Sequence, residues 1–339
     1  MASLRTSGSW RSRLVQHANP DLQLGGSLGG PNLTEDAVSP GHRSSDGVVG
    51  GILAWWSGAR TARDELPWRA TRDPWCVLVA EMMLAQTQVA RVADRYREFI
   101  KYFPSPSTCA NATLADVLRV WVGLGYNRRA RWLHETARAI VEKHNGKMPS
   151  NLVELLALNG IGPYTARAVL AFSLNENAGV VDTNVGRVLA RAVVGQTLRP
   201  RQAQAIADAL VPNGMGRDWN LALMDFGSLV CTSRSPKCSV CILKSSGRCA
   251  WQCQAHHRTF ADPARGSAGV SVRQARFAGS DRQGRGRLVR AACDGPLARS
   301  DLAVVLGWPD GYERAERIAR GLIDDGLLLE DPSGALVLP

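Results

Sequence analysis

The chain has 339 residues, with 41 Lys and Arg against 30 Asp and Glu, for a formal net charge of +11. That length accommodates two or more domains with a real core. No apolar run reaches the ~18 residues of a membrane span, and the N-terminus lacks the compact apolar stretch of a signal peptide, so membrane and secreted classes are set aside. The expected location is the cytoplasm, where the eight cysteines are thiols or metal ligands rather than disulfides.

Residues 1–46 hold four basic and four acidic residues, 47–260 hold 26 and 15, and 261–339 hold eleven of each. A basic domain between neutral flanks predicts a polyanionic partner, nucleic acid first.

In chain order, residues 1–46 are rich in Gly, Ser, Pro and Asn without a period and are expected to be a disordered extension. From about 48 to 230 the pattern is helical throughout. "VVGGILAWW", "PWCVLVAEMML", "TLADVLRVWVGL", "RARWLHETARAIVEKH", "PYTARAVLAFSL" and "WNLALMDFGSLV" each fit a 3.6-residue period. Their connectors are short and hold Gly, Pro or Asn, which predicts an all-α domain of many short helices over 47–260. Residues 261–287 are predicted to be an Arg-rich linker. Within 265–290 stand seven arginines and one acid, Asp281, in a Gly-rich setting too flexible to bury them. Residues 288–339 give two helices, "LARSDLAVVL" and "YERAERIARGLIDDG", then two short strands around Pro-Ser-Gly: a small winged-helix-like unit.

Four constellations carry chemistry. Glu81 sits inside "VLVAEMMLAQTQV", where Val77, Leu78, Leu84 and Ala85 share its helix face. That face is buried, and a carboxylate there is costly. In "LNGIGPYTARAVLAF" (158–172), Gly160 and Gly162 flank Ile161, and Pro163 opens the next helix. Such a turn brings backbone N–H groups to a surface where a helix N-terminus holds phosphate, a helix-hairpin-helix pattern. In "AGVVDTNVGRVLARAV" (178–193), Asp182 is placed to cap a helix, with Asn184 beside it. Capping lowers a carboxyl pKa, so Asp182 is expected to stay ionised. Finally, Cys231, Cys238, Cys241 and Cys249 give C-x6-C-x2-C-x7-C, with Cys253 just beyond. Four thiols this close indicate zinc or iron–sulfur, and spacing alone does not choose between them.

Together with "LPWR" (66–69), "AEMMLAQTQV" (80–89), "GLGYNRRARWL" (123–133), "VVDTNVGRVLAR" (180–191) and "MDFGSLVCTSRSPKCSVC" (224–241), these pieces resemble the endonuclease III superfamily of DNA glycosylases, and its adenine glycosylase (MutY) branch most closely. The resemblance covers roughly 48–260. It implies a two-lobed helical domain with a [4Fe–4S] cluster on the four cysteines, Cys253 being the reserve fourth ligand. It also implies double-stranded DNA with a mismatched adenine as partner, and a monomeric, nucleoid-associated enzyme. By the same resemblance, Glu81 is the catalytic glutamate and Asp182 the catalytic aspartate. Gln86 and Thr87 form a wedge at the lesion, and Tyr126 intercalates beside 8-oxoguanine. Leu66, Trp68, Arg69 and Leu84 line the pocket for the extruded base. Lyase-active members carry a lysine where this chain has Tyr164, so Schiff-base chemistry is not expected. The chain departs from the family's pattern at Ala85, where glutamine is usual, at Leu221, where Gln or Glu is frequent, and in a wider final cysteine spacing. Residues 261–339 are too short for the family's MutT-like domain.

The expected chemistry follows. A buried Glu81 stays protonated near neutral pH and protonates adenine N7, while an ionised Asp182 faces the oxocarbenium ion. The rival expectations are a mismatch thymine glycosylase of the same superfamily and a non-catalytic DNA-binding protein, which needs neither carboxyl.

Overall fold

The computed structural model describes residues 45–59, 63, 65–254, 261–267 and 276–339. The proposed disordered extension lies outside the described residues, except that the first helix, α1 (Ser45–Gly58), already starts within it. The Cys253 side chain lies outside them as well.

Local signals set the helix boundaries. After a 3₁₀ turn at Pro67–Arg69, α2 (Pro74–Leu84) starts where Asp73 accepts the Cys76 N–H and Pro74 takes the first position. Next come α3 (Val89–Tyr102), α4 (Pro106–Ala110) and α5 (Leu114–Trp121). Reciprocal capping boxes, Ser105 with Thr108 and Thr113 with Asp116, open α4 and α5. Helix α6 (Arg128–His144) ends at a left-handed Asn145. Then follow α7 (Leu152–Leu156), α8 (Pro163–Leu174) and α9 (Thr183–Val188). Helix α9 runs into a π-helical turn, Leu189–Val194. The remaining helices of this domain are α10 (Pro200–Ala209), α11 (Gly216–Leu229), α12 (Ile242–Ser245) and α13 (Ala250–Gln254).

Two apolar cores result. Trp75, Leu78, Phe99, Trp121 and Leu133 centre the first, built from α2 to α8. Ile52, Val188, Trp219 and Phe226 centre the second, built from α1 and α9 to α12. Met224 packs on both. The all-α expectation therefore holds for the described residues of 45–254.

The C-terminal segment adds α14 (Asp281–Asp294), α15 (Leu302–Leu306), α16 (Tyr312–Asp324) and an antiparallel hairpin of β1 (Leu329–Glu330) and β2 (Leu336–Val337). Its buried Leu288, Leu306, Ile318 and Leu336 join the first core. Asp325 fastens it to α6, its backbone carbonyl accepting from Arg131 and its carboxylate lying 3.6 Å from Arg128.

The linker over 261–287 is corrected at both ends. Residues 261–267 dock: Asp262 pairs with Arg191 at 2.6 Å, and the Ser267 hydroxyl accepts the Leu198 N–H at 3.0 Å. Helix α14 begins at Asp281, capped by Ser280, inside the stretch read as linker. Glycine richness misleads here because Gly284 serves close packing. A Cβ there would stand 2.9 Å from Trp308 and 3.0 Å from Leu306. Three of the described arginines there are engaged. Arg282 donates to the Tyr126 hydroxyl, Arg285 to Asp325 and Arg287 to the Leu306 carbonyl.

Candidate active site

The cleft between the two cores has a volume of about 660 Å³. Its first wall comes from α2 and α8. Glu81 projects from α2 among Val77, Ala80 and Leu84, and is 9% exposed. Loss of water pushes its carboxyl up to about 7, and the nearby Asp182 charge adds to this, while a hydrogen bond from Tyr164 opposes it. Burial also holds the Tyr164 phenol well above its usual range, so it stays a neutral donor.

The second wall is the N-terminus of α9. One Asp182 carboxylate oxygen accepts the backbone N–H of Asn184 at 2.9 Å and of Val185 at 2.7 Å. The other accepts the Asn184 side-chain amide at 2.8 Å. The cap is as expected, but its effect on the proton is not. Burial lifts the Asp182 carboxyl above its usual range, outweighing the three donors that lower it. A local motif shows the cap and hides the burial, so the simple expectation of a depressed pKa is corrected. Three donors that favour the ionised form bond to Asp182, against one, from Tyr164, to Glu81.

Asn184 is itself held. Arg187 donates to its side-chain oxygen at 2.9 Å, and also to the carbonyls of Gly227 at 2.6 Å and Cys231 at 2.7 Å. The cleft carboxylate is thus tied to the loop that carries the cysteines, a connection with no local sequence signal.

Leu66, Trp68, Arg69, Leu84, Gln86 and Thr87 all line this cleft, as do Tyr164, Asn184 and Leu221. Arg69 does so with its guanidinium engaged. It makes a two-pronged pair with the fully buried Asp225, both contacts at 2.7 Å, and Trp56 donates to the same carboxylate at 3.2 Å. Sequence reasoning missed Asp225, which lies 156 residues from Arg69.

Tyr126 does not line the cleft. It stands in an adjoining groove that shares Gln86 and Thr87 with it. Gln86 (φ 57°) and Tyr126 (φ 49°) both adopt the left-handed conformation, which costs a non-glycine residue about 1–3 kcal/mol. The buried Arg129 holds both loops. It donates to the carbonyls of Met82, Ala85 and Gly125 and to the Thr87 hydroxyl, at 2.5 to 3.1 Å. Its guanidinium also lies 5.2 Å from the Tyr126 ring centroid. Arg129 was not singled out by sequence, because its partners are backbone carbonyls.

Gly160 and Gly162 are elsewhere, in the α7–α8 turn. Gly160 (φ +77°) is required, since a Cβ there would also meet Trp132 at 2.6 Å. Gly162 has an ordinary backbone (φ −91°) with open space around it, so the start of α8 is approachable from outside.

Cys231, Cys238, Cys241 and Cys249 line one small pocket with Arg191, Lys244 and Trp251. Arg191 Nη1 lies 3.7 Å from Cys231 Sγ. Burial raises the thiols of Cys231 and Cys238, and that of Cys249 up to about 12. Among the described residues no three His, Cys, Asp or Glu form a ready metal-holding group. The donor chemistry, four convergent thiols under a guanidinium, nonetheless fits an anionic metal–thiolate centre.

Residues 79–213 match the family model described as "HhH-GPD superfamily base excision DNA repair protein". The chain is 38% identical over 315 residues to the adenine DNA glycosylase of Mycobacterium tuberculosis (strain CDC 1551 / Oshkosh), spanning 91% of this chain and 97% of that one. The chain belongs to the adenine DNA glycosylase (MutY) family. It is therefore a base-excision DNA glycosylase, and DNA is its partner. With 91% of the chain matched, most of 261–339 necessarily lies within the match to that relative, although outside the family model. Among solved structures, a thermostable thymine-DNA glycosylase is 30% identical with a TM-score of 0.56, covering 62% of this chain and 97% of that one. An endonuclease III–DNA covalent intermediate, at 21% identity and a TM-score of 0.53, covers 63% and 99% and shares the fold.

Proposed function

We propose that this glycosylase hydrolyses the N-glycosidic bond of adenine mispaired with 8-oxoguanine or guanine. One observation carries the reading: a carboxyl raised to about 7 by burial faces a second carboxyl that accepts three N–H donors across one cleft. Glu81, protonated near neutral pH, gives its proton to adenine N7. The C1′–N9 bond then breaks, adenine leaves as the neutral base, and positive charge develops on the sugar. Asp182, ionised, sits where that charge arises. Water adds to C1′, and its proton returns to the Glu81 carboxylate. Asn184 orients Asp182, and the neutral Tyr164 phenol donates to Glu81. Leu66, Trp68, Arg69 and Leu84 surround the extruded base, whose flipping costs a few kcal/mol. Arg69 contributes as a fixed wall, given its pair with Asp225. Gln86, Thr87 and Tyr126 hold the gap left in the duplex, while the backbone around Gly160 and Gly162 meets phosphate. The reaction is monofunctional, because no amine stands at position 164.

Cys231, Cys238, Cys241 and Cys249 are proposed to hold a [4Fe–4S] cluster. When bound, the cluster supplies a rigid, charged cross-link to the loop over 231–249. Residues 288–339 are proposed to form a winged-helix-like unit, and the protein to act as a monomer.

The similarity to a thymine-DNA glycosylase supports a second reading, mismatched thymine as substrate. The test is incubation with duplexes holding adenine opposite 8-oxoguanine, adenine opposite guanine, or thymine opposite guanine, followed by alkaline cleavage of abasic sites. Adenine release is expected. Thymine release alone would replace the reading, and release of neither base would refute both.

A further inference from the structure

Arg191 carries its charge into the interior. It stands in the π-helical turn Leu189–Val194 and is 1% exposed. A guanidinium so placed is costly unless its donors are met, and they are met from two sides. On one side, Nε and Nη2 make a two-pronged pair with Asp262 at 2.8 and 2.6 Å. On the other, Nη1 donates to the Thr232 carbonyl at 2.6 Å and Nη2 to that of Ser233 at 3.0 Å. Nη1 also lies 3.7 Å from Cys231 Sγ. The Trp251 ring covers the group, its centroid 5.4 Å from the guanidinium carbon.

The cation therefore bridges the cysteine loop and residues 261–267. That segment is a strap fixed at both ends, by Asp262 on Arg191 and by Ser267 on the Leu198 N–H. Its Ala264 is buried between them. Lys237 and Lys244 line the same thiol pocket, but both are exposed, so water screens their charge. The charge of Arg191 acts on the sulfurs through a far weaker dielectric. A positive donor beside a ligand thiolate favours the reduced, more negative form of a metal–thiolate centre. Asp262, on the opposite edge of the same guanidinium, pulls the other way.

We propose that Arg191 and Asp262 form a charge clip that sets the reduction potential of the centre held by Cys231, Cys238, Cys241 and Cys249, Arg191 raising it and Asp262 lowering it. This rests on the reading of that centre as an iron–sulfur cluster. The strap over 261–267 then works as part of the centre, by holding the guanidinium against Cys231.

The test is voltammetry of the full-length holoprotein, with iron and zinc counted per chain. Arg191→Met replaces the cation with an apolar chain. It should lower the reduction equilibrium constant about tenfold, or about 59 mV for a one-electron couple, the span of one hydrogen bond to a charged group. Asp262→Asn keeps the shape and removes only the opposing charge, so it should raise the potential by a similar amount. Arg191→Lys keeps the charge without the fork and should fall between wild type and Arg191→Met. Opposite signs separate the clip from a packing defect, which loosens the same strap in both variants. Potentials that stay at the wild-type value, or that move in the same direction in both variants, would overturn the proposal. If Arg191→Met does not retain iron, Asp262→Asn decides alone: an upward shift supports the clip, and any other result overturns it. Wild-type protein carrying zinc and no iron would defeat the cluster reading and the clip with it. That outcome is distinct from a cluster whose potential ignores the two charges, which defeats the clip alone.

Discussion

The two walls of the cleft hold the same functional group in opposite circumstances. On the α2 wall, Glu81 stands among Val77, Ala80 and Leu84 with one hydrogen-bond donor, Tyr164. On the α9 wall, Asp182 receives two backbone N–H groups and an amide. Both carboxyls are raised by burial, so burial alone does not assign an acid and a base. The difference lies in donors, which favour the ionised form on one wall and are almost missing on the other. One wall favours the protonated form, and the other offers donors to the ionised one.

Removing the proton on the α2 wall is the largest way to break this contrast. Glu81→Gln keeps the shape but cannot protonate a leaving base, so single-turnover excision should fall by about 10²- to 10⁴-fold, with duplex binding retained. Stability supplies a second readout with a definite sign. A carboxyl whose folded pKa is about 7 instead of the usual 4.5 binds its proton more tightly when folded. Wild-type stability should therefore decline as pH rises from about 4.5 to 7 and stay lower above it, by about 3 kcal/mol in all. Glu81→Gln should flatten that decline in thermal unfolding measured from pH 5 to 8, leaving only the part that Asp182 contributes. A variant whose pH profile still matches wild type would show that Glu81 is not the titrating group.

The α9 wall comes next. Asp182→Asn preserves a capping side chain but removes the negative charge, and should cost about 10²- to 10³-fold in excision with little change in melting temperature. Excision near the wild-type rate would mean that charge on this wall is dispensable. Asn184→Ala is milder. It removes one of the donors that lower the Asp182 pKa, so the acidic limb of the rate profile should move to higher pH. The loss at neutral pH should be about tenfold, equivalent to one net hydrogen bond to a charged group. A stationary acidic limb would remove Asn184 from that role.

Much of this contrast was legible in sequence, and the illegible parts share a cause. Glu81 stood out because an acid in an apolar helical run has a strong local signature. The helix-hairpin-helix turn was visible through Gly160, Gly162 and Pro163, and the thiol cluster through its spacing. What failed were properties made by distant residues. Asp225 neutralises Arg69 from 156 positions away, and Arg191 finds Asp262 across 71. The Asp182 cap could be read from "DTNV", yet its raised pKa depends on burial that no neighbouring residue reveals. Helix α14 was half missed because its glycines resembled linker composition, whereas Gly284 packs beneath Trp308.

Tyr164 offers the smallest and most selective test, because it touches the proton-keeping wall without carrying the proton. Its hydroxyl lowers the Glu81 pKa, by donating to the ionised carboxylate. Tyr164→Phe removes that donor while leaving the ring packed on α8, so the Glu81 pKa must rise. If protonated Glu81 drives excision, the rate of the wild-type enzyme falls as pH climbs through about 7. The variant's fall should then begin at higher pH, leaving it relatively faster than wild type in mildly alkaline buffer and altered only a few-fold, about one neutral hydrogen bond, at neutrality. Neither protein should be trapped on DNA by borohydride, since a phenol forms no Schiff base. A basic limb displaced to lower pH would reverse the assigned direction of the hydrogen bond. A strong trapped product would reveal an amine at work in the cleft.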